Sequence, residues 1–317
     1  MKSYTQLYQK LPGDAVAMLA AQYEPKELDK VLAGFMCARP VTLRANRLKT
    51  DVRQVMDTLR KVNIKFDRVL WYEDALALKQ QREKDLEALE LYQQGHIYLQ
   101  SLSSMLPPLV LRPAPGSKVL DLTAAPGGKA TQLAALMDNE GYILANEINQ
   151  VRAERLKFNV ERQGAAIVEV RVGDGKWLEP QYQEYFDAVL LDAPCSGVGL
   201  FALEHPQTYR GWSPRWVNQL VKEQRKLLET AFWALRPGGS LVYSTCTLTR
   251  EENEANVEWV LKRFPETVSL EPLRFTLTGA ENNQRFTAIP SSGGRTLTLI
   301  PGALYEGFFV ARFRKIK

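Results

Sequence analysis

Lys118-Val119-Leu120-Asp121-Leu122-Thr123-Ala124-Ala125-Pro126-Gly127-Gly128-Lys129 is the stretch from which the rest of the chain can be placed. A short apolar run reads as a buried strand. It empties into small residues and a Gly-Gly pair, and a helical pattern follows over 129–137. Such a loop lets the backbone turn tightly and approach a ligand, while the helix N-terminus offers free amide donors. It is not Gly-x-Gly-x-x-Gly, and it lacks the Gly-Lys-Ser/Thr of a triphosphate-binding loop. Downstream, apolar strands expected at 142–146, 168–172, 188–191 and 240–243 alternate with helices at 150–163 and 214–235. That alternation predicts an α/β fold with a mostly parallel, Rossmann-like sheet.

The flanks complete the plan. A helix is expected over 251–264, its acid-rich start suiting a helix N-terminus. The β-rich runs 297–300 and 307–313 are expected to pair antiparallel and close the sheet edge. A parallel sheet ended this way resembles the class I methyltransferase plan. The first hundred residues differ: a helical start over 14–32, a strand at 41–45, an amphipathic helix at 51–60, and strand-like runs at 66–71 and 76–78. A smaller N-terminal α+β domain is the economical reading. Pro107-Pro108 and Arg112-Pro113-Ala114-Pro115-Gly116 punctuate the passage to the sheet, so the boundary is placed near 105, giving domains 1–105 and 106–317. No repeat or low-complexity tract interrupts either.

A chain of 317 residues suits roughly two domains. No run approaches the ~18 uninterrupted apolar residues of a membrane span, and the polar start at 1–5 is not a signal-peptide core. A cytoplasmic protein with no membrane contact is expected. Three cysteines make no disulfide framework, and with only His96 and His205 no zinc spacing exists, so reduced thiols and no metal are expected. The net charge of +5, from 41 basic and 36 acidic residues, leans mildly toward a polyanionic partner.

Acids recur where strands end: Glu147, Asp174 and Asp192. A carboxylate after the second strand can accept ribose hydroxyls, and one after the third can accept an adenine amino group. Each alone reads as a loop acid; their recurrence behind a glycine-rich turn describes an adenosine-shaped crevice.

Two of the three cysteines, Cys195 in Asp192-Ala193-Pro194-Cys195-Ser196-Gly197 and Cys246 in Ser244-Thr245-Cys246-Thr247, also sit at strand ends. A lone cysteine is usually inert packing. Two in these contexts call for chemistry. Cytosine C5 is a poor nucleophile, but a thiolate added at C6 makes it enamine-like, and a base must then remove the C5 proton so that the thiol can leave. Cys246, Cys195 and Asp192 suit those needs if the fourth and fifth strands are neighbours.

At these residues the chain resembles the Nop/Sun family of RNA cytosine-C5 methyltransferases, which use S-adenosylmethionine. The likeness extends to Arg39-Pro40-Val41-Thr42-Leu43-Arg44-Ala45-Asn46, to the segment from Gly95 to Met105 and to Glu306-Gly307-Phe308-Phe309-Val310-Ala311-Arg312. The resemblance implies Cys246 as nucleophile, Cys195 assisting release, Asp192 on the target cytosine and Lys129 ordering the cluster. It implies cofactor contacts from Thr123, Ala124, Ala125, Pro126, Gly127, Gly128, Lys129, Glu147, Arg152, Asp174 and Asp192. Thr123 stands where the family commonly has cysteine, and Glu147 where aspartate is more usual. The family further implies an RNA-recognition-like N-terminal domain and a ribosomal or transfer RNA partner, with a monomer expected. Arg39, Arg44, Arg47, Lys49, Arg53 and Arg60 are then phosphate-tracking candidates beside the reading of a solvated face. Tyr209, Trp212 and Trp216 are expected mainly in the core, with base stacking the alternative. A target base must be unpaired or flipped, because the thiolate approaches C6 perpendicular to the ring. A DNA methyltransferase using Cys195 as nucleophile and a noncatalytic RNA-binding factor are the competing readings.

Overall fold

The computed structural model describes residues 10–273, 287–291 and 294–317; the polar start at 1–5 lies outside them. The helical start is two helices, α1 (Gly13–Gln22) and α2 (Pro25–Gly34), rather than one over 14–32. Pro25 opens α2, where its missing N–H costs nothing. Leu19, Val31, Leu32 and Phe35 from this hairpin pack with Val198, Phe201, Trp212 and Ile300 of the larger domain.

The small domain follows as β1 (Thr42–Ala45), α3 (Val52–Lys61), β2 (Phe66–Arg68), β3 (Ala75–Leu78), the short helices α4 (Glu83–Glu87) and α5 (Glu90–Gln93), and β4 (Ile97–Leu99). Asp51 caps α3 by accepting from the Arg53 and Gln54 amides at 2.8 and 3.0 Å, and the helix buries Val55, Met56 and Leu59. The strands form an antiparallel sheet in the order β2-β3-β1-β4, the β-α-β-β-α-β plan of ferredoxin-like domains. Every residue of β1 and β3 is buried. The sheet centre is thus covered on both faces and offers no open platform for bases.

After α6 (Leu106–Leu111) comes the larger unit: β5 (Lys118–Asp121), α7 (Gly128–Leu136), β6 (Tyr142–Glu147), α8 (Gln150–Gln163), β7 (Val168–Val172), β8 (Phe186–Asp192), α9 (Pro214–Ala234), β9 (Leu235–Thr245), α10 (Glu254–Arg263), β10 (Val268–Glu271), β11 (Thr287–Ser291), β12 (Thr296–Ile300) and β13 (Phe308–Lys315). The sheet order is β11-β12-β13-β9-β8-β5-β6-β7, with β10 pairing β13. From β7 to β9 all neighbours are parallel; β13 runs antiparallel to β9 and β12. The expected closing pair is present, and β10 and β11 add strands the apolar pattern did not signal.

Being parallel, the central strands are apolar on both faces. Val119, Ile143, Ala145 and Leu190 enter one core layer, while Leu120, Leu144, Val189 and Leu191 enter the other with Leu227, Leu228 and Ala231 of α9. From β5 the chain goes to β6 and β7 on one side and then crosses to β8 on the other. The crevice above the β5 and β8 ends is therefore the topological switch point, where such sheets bind ligands. Helix α10 begins at Glu254 rather than 251, which leaves Glu252 and Asn253 free for another use. Among the described residues no helix is long and apolar enough to cross a membrane.

Candidate functional site

The switch point is built from the β5–α7 loop. Ala124 donates to the Asn146 carbonyl at 2.8 Å, and Gly127 to that of Ala124 at 2.8 Å. Gly127 has φ 109° and a Cβ there would stand 2.9 Å from the Leu156 side chain, so the turn needs glycine. Thr123 Oγ1 donates to the Asp192 carbonyl at 2.8 Å, bracing the ends of β5 and β8.

A cavity of about 230 Å³ opens beside this loop, bounded by Thr123, Ala125, Glu147, Arg152, Asp174, Asp192, Cys195 and Cys246 among others. Residues from the ends of β5, β6, β7, β8 and β9 thus converge on one space. Glu147 is almost fully buried; its Oε1 accepts from the Asn149 amide at 2.9 Å and its Oε2 lies 3.3 Å from Arg152 Nη1. Arg152 also donates to the Ala125 carbonyl at 3.1 Å, so it ties the loop to Glu147. Asp174 caps its own turn through the Lys176 amide at 2.9 Å and pairs with Lys176 Nζ at 3.3 Å. Glu223 and Leu227 of α9 complete the wall, two residues the motif reading passed over. Backbone amides, ribose-reaching carboxylates and apolar sides suit an adenosine-bearing cofactor.

Asp121, at the end of β5, was not among the expected site residues. It is fully buried and, among the described residues, no side chain hydrogen-bonds either carboxylate oxygen, the Thr123 amide being the one donor that acts on it. Burial raises its pKa to about 7, opposed by Lys129 and reinforced by Asp192. Its position one residue before the glycine loop was the available signal.

The thiols meet as the strand register requires. Asp192 pairs with Ser244 across β8 and β9, and the loops beyond bring Cys195 Sγ to 3.1 Å from Cys246 Sγ. Lys129, on the first turn of α7, places Nζ 2.7 Å from Asp192 Oδ2 and 2.7 Å from Ser104 Oγ. Ser244 Oγ donates to Asp192 Oδ1 at 2.7 Å. Burial disfavours the Lys129 charge, but Asp192, with Asp121 and Cys246, outweighs it and raises the pKa. Cys195 is pushed well above the ordinary thiol value, first by its hydrogen bond to Cys246, then by burial and the nearby negative charge of Cys246 and Glu252. Cys195 is therefore the thiol of this pair that holds its proton.

The chain as a whole has counterparts among proteins of known sequence. The family 16S rRNA methyltransferase RsmB/F matches residues 108–314. The chain belongs to that family. The RsmF/B-like ferredoxin-like domain matches residues 11–84. Ribosomal RNA small subunit methyltransferase F of Cronobacter sakazakii is 40% identical over 291 residues, covering 88% of this chain and 58% of that protein. The chain therefore spans little more than half the length of such RsmF relatives. The crystal structure of PH0851 superposes with a TM-score of 0.87 at 31% identity, covering 99% of this chain and 69% of that one. A methyltransferase homolog from Pyrococcus horikoshii gives 0.77 at 29% identity, over 98% and 94%.

Of the six basic residues singled out in the small domain, Arg44 alone departs from both readings, phosphate tracking and a solvated face. Arg44 is fully buried, donating to Gln100 Oε1 at 3.3 Å and to Thr131 Oγ1 at 3.3 Å. Arg39 donates to the Tyr305 carbonyl at 3.0 Å, and Lys49 to those of Gln94 and Arg162 at 2.9 and 2.7 Å. Arg44 and Arg39 are drawn inward toward the larger unit, whereas Lys49 is exposed and ties the small domain to α8 at the surface. Arg47 and Arg60 pair with acids, and Arg53 stays exposed. Tyr209 and Trp212 are core residues as expected, whereas Trp216 is half exposed. Among the described residues no group of three His, Cys, Asp or Glu side chains is placed to hold a metal.

Proposed function

We propose that this RsmB/F member methylates C5 of an unpaired or flipped cytosine in ribosomal RNA, using S-adenosylmethionine, through a covalent bond between Cys246 and C6. The observation that carries the reading is the 3.1 Å approach of the two thiols beside the Lys129–Asp192 pair. The 40% identical relatives named for small-subunit ribosomal RNA favour that RNA over transfer RNA. S-adenosylmethionine, when bound, supplies an electrophilic methyl group; Thr123 to Lys129, Glu147, Arg152, Asp174 and Asp192 would hold it.

The protein's own steps follow from donors and charges. Lys129 uses two of its three N–H donors on Asp192 and Ser104, which leaves one for the cytosine N3 or O2 edge. Asp192 retains acceptor capacity for the cytosine amino group. Cys246, as thiolate, forms the C6–S bond, while Cys195 remains S–H beside it. Once Cys246 is a thioether, the hydrogen bond from Cys195, the foremost cause of its raised pKa, is reduced to a weak one to a neutral sulfur, and the lesser contribution of the Cys246 charge is gone. Cys195 then releases its proton to water and accepts the C5 proton; the C5–C6 double bond re-forms and Cys246 departs as thiolate. Domains divided near residue 105 and a cytoplasmic site of action belong to the same reading.

Transfer of labelled methyl to separate ribosomal and transfer RNA pools, with nucleoside analysis, tests it. Expected is 5-methylcytidine in ribosomal RNA, abolished by Cys246→Ala. Label at any other position, or label that survives Cys246→Ala, would sink the proposal.

A further inference from the structure

Glu252 and Asn253 lie between the Cys246 loop and α10, beyond the motifs that identify the thiols. Both are buried, at 0% and 1% exposure. Glu252 accepts four hydrogen bonds: from the Ser196 amide at 2.9 Å, from the Ser196 hydroxyl, from Gln224 Nε2 at 2.9 Å and from Thr249 Oγ1 at 2.7 Å. Gln224 Nε2 also donates to the Pro194 carbonyl at 2.8 Å. The residues on either side of Cys195 are thus fixed by Glu252 and Gln224.

Asn253 does the same around the other thiol. Its Oδ1 accepts from Thr245 Oγ1 at 2.6 Å and its Nδ2 donates to the Thr247 carbonyl at 3.0 Å, bracketing Cys246. The brackets are joined, because the Ser196 and Thr247 hydroxyls lie 2.9 Å apart. The single Ser196 proton goes to Glu252, so Thr247 donates to Ser196. Burying a carboxylate is costly and four donors offset it; Glu252 still has its pKa raised by burial, against which Ser196 and Thr249 act. An apolar side chain would fill this space more simply. The cost is understandable if the acceptor is needed to hold a turn of fixed shape.

We propose that these two adjacent residues are positioning residues, each setting one thiol: Glu252, through Ser196 and Gln224, sets Cys195, and Asn253, through Thr245 and Thr247, sets Cys246. Neither touches the reacting atoms. The consequence is separable control, with Glu252 governing the step that needs Cys195 and Asn253 the step that needs Cys246. The assignment of steps rests on the function proposed above, whereas the placement of the thiols does not.

Two measurements on the full chain test this. First, diamide takes two electrons from the thiol pair to give a Cys195–Cys246 disulfide, and its rate of formation is followed by peptide mass mapping. Glu252→Ala removes both acceptor oxygens from the Ser196 amide and hydroxyl, Gln224 and Thr249, and Asn253→Ala removes both contacts around Cys246. Each is expected to slow crosslinking at least ~10-fold relative to the parent protein. Gln224→Met, which frees the Pro194 carbonyl and removes one of the four donors to Glu252 and the acceptor of Asn256 Nδ2, leaves the Ser196 contacts of Glu252 in place; it is expected to slow crosslinking less and serves where Glu252→Ala fails to fold. Parent-like crosslinking in the folded variants overturns the proposal.

Second, with RNA and S-adenosylmethionine, Glu252→Ala should accumulate a denaturant-stable RNA–protein adduct while forming it at the parent rate. Asn253→Ala should form the adduct slowly and accumulate none. A merely structural role slows both steps alike in both variants, and that result also overturns the assignment. Should the parent chain make no 5-methylcytidine, the functional reading fails, and crosslinking still decides whether Glu252 and Asn253 place the thiols.

Discussion

Two cations are drawn into the protein at helix α7, and they are treated differently. Lys129, on its first turn, keeps 14% of its side chain exposed and meets the carboxylate of Asp192 at 2.7 Å. Arg44 reaches the same turn from β1, is 0% exposed, and donates to the neutral oxygens of Gln100, Gly128 and Thr131. One Arg44 nitrogen has no partner, and burial pulls the guanidinium pKa down. Burial acts against both charges, but only Lys129 has a carboxylate in contact to offset it. A buried cation at the rim of a crevice, paired with an acid and retaining a free donor, is equipped for chemistry; one surrounded by neutral acceptors is a bolt between domains.

The largest effect should separate these roles. Lys129→Met is expected to cut methyl transfer by about 10²–10³-fold, as loss of a preorganised donor does, while the urea midpoint moves little. An equal loss of stability would mean that Lys129 is a bolt as well. Arg44→Ala should show the reverse: about 3 kcal/mol of stability lost, through a cavity and stranded acceptors, with kcat per folded molecule unchanged. A drop in kcat without unfolding would move Arg44 into the reaction.

Asp121 extends the comparison to an acid. Its pKa in the folded protein, about 7, lies above its ordinary 3.8. Between those values this group binds more protons in the folded state than in the unfolded one, so the contribution of Asp121 to stability is fully present below about pH 4 and is lost as pH rises toward 7. The ceiling on that fall is ~4 kcal/mol. Asp121→Asn should flatten this part of the stability profile, measured by urea unfolding from pH 4 to 8; an unchanged slope would mean that Asp121 is ionised and paired. The smallest effect belongs to Arg53, exposed on α3. Its replacement by alanine should change stability by less than ~0.5 kcal/mol and lower the salt slope of RNA binding by about 1. No change in slope would leave it a solvated residue.

What could be read before folding follows the same division. Alternating strand and helix patterns predicted the parallel sheet, because burial on both faces forces continuous apolar strands. The glycine loop, the strand-end acids and the two thiols were legible because strand ends in such a sheet share one edge. Arg44 was misread because a short polar-apolar run does not reveal that both faces of β1 are covered. The helix over 14–32 was misread because its apolar spacing outweighed Pro25. Glu252 went unseen because its partners Ser196 and Gln224 are far away along the chain; Asp121 and Asn253 went unseen because turns, not periodicity, bring Lys129 to the one and Thr245 and Thr247 to the other.

The amino-acid sequence by itself determined the order of elements and the residues delivered to the carboxyl edge of the sheet, since periodicity and turn chemistry are local. Only the tertiary structure decided that Cys195 and Cys246 stand 3.1 Å apart, that Lys129 rather than Arg44 pairs with the crevice acid Asp192, and that a buried glutamate and asparagine bracket the thiols. Distance and desolvation are set by packing, and packing is not a property of any one segment.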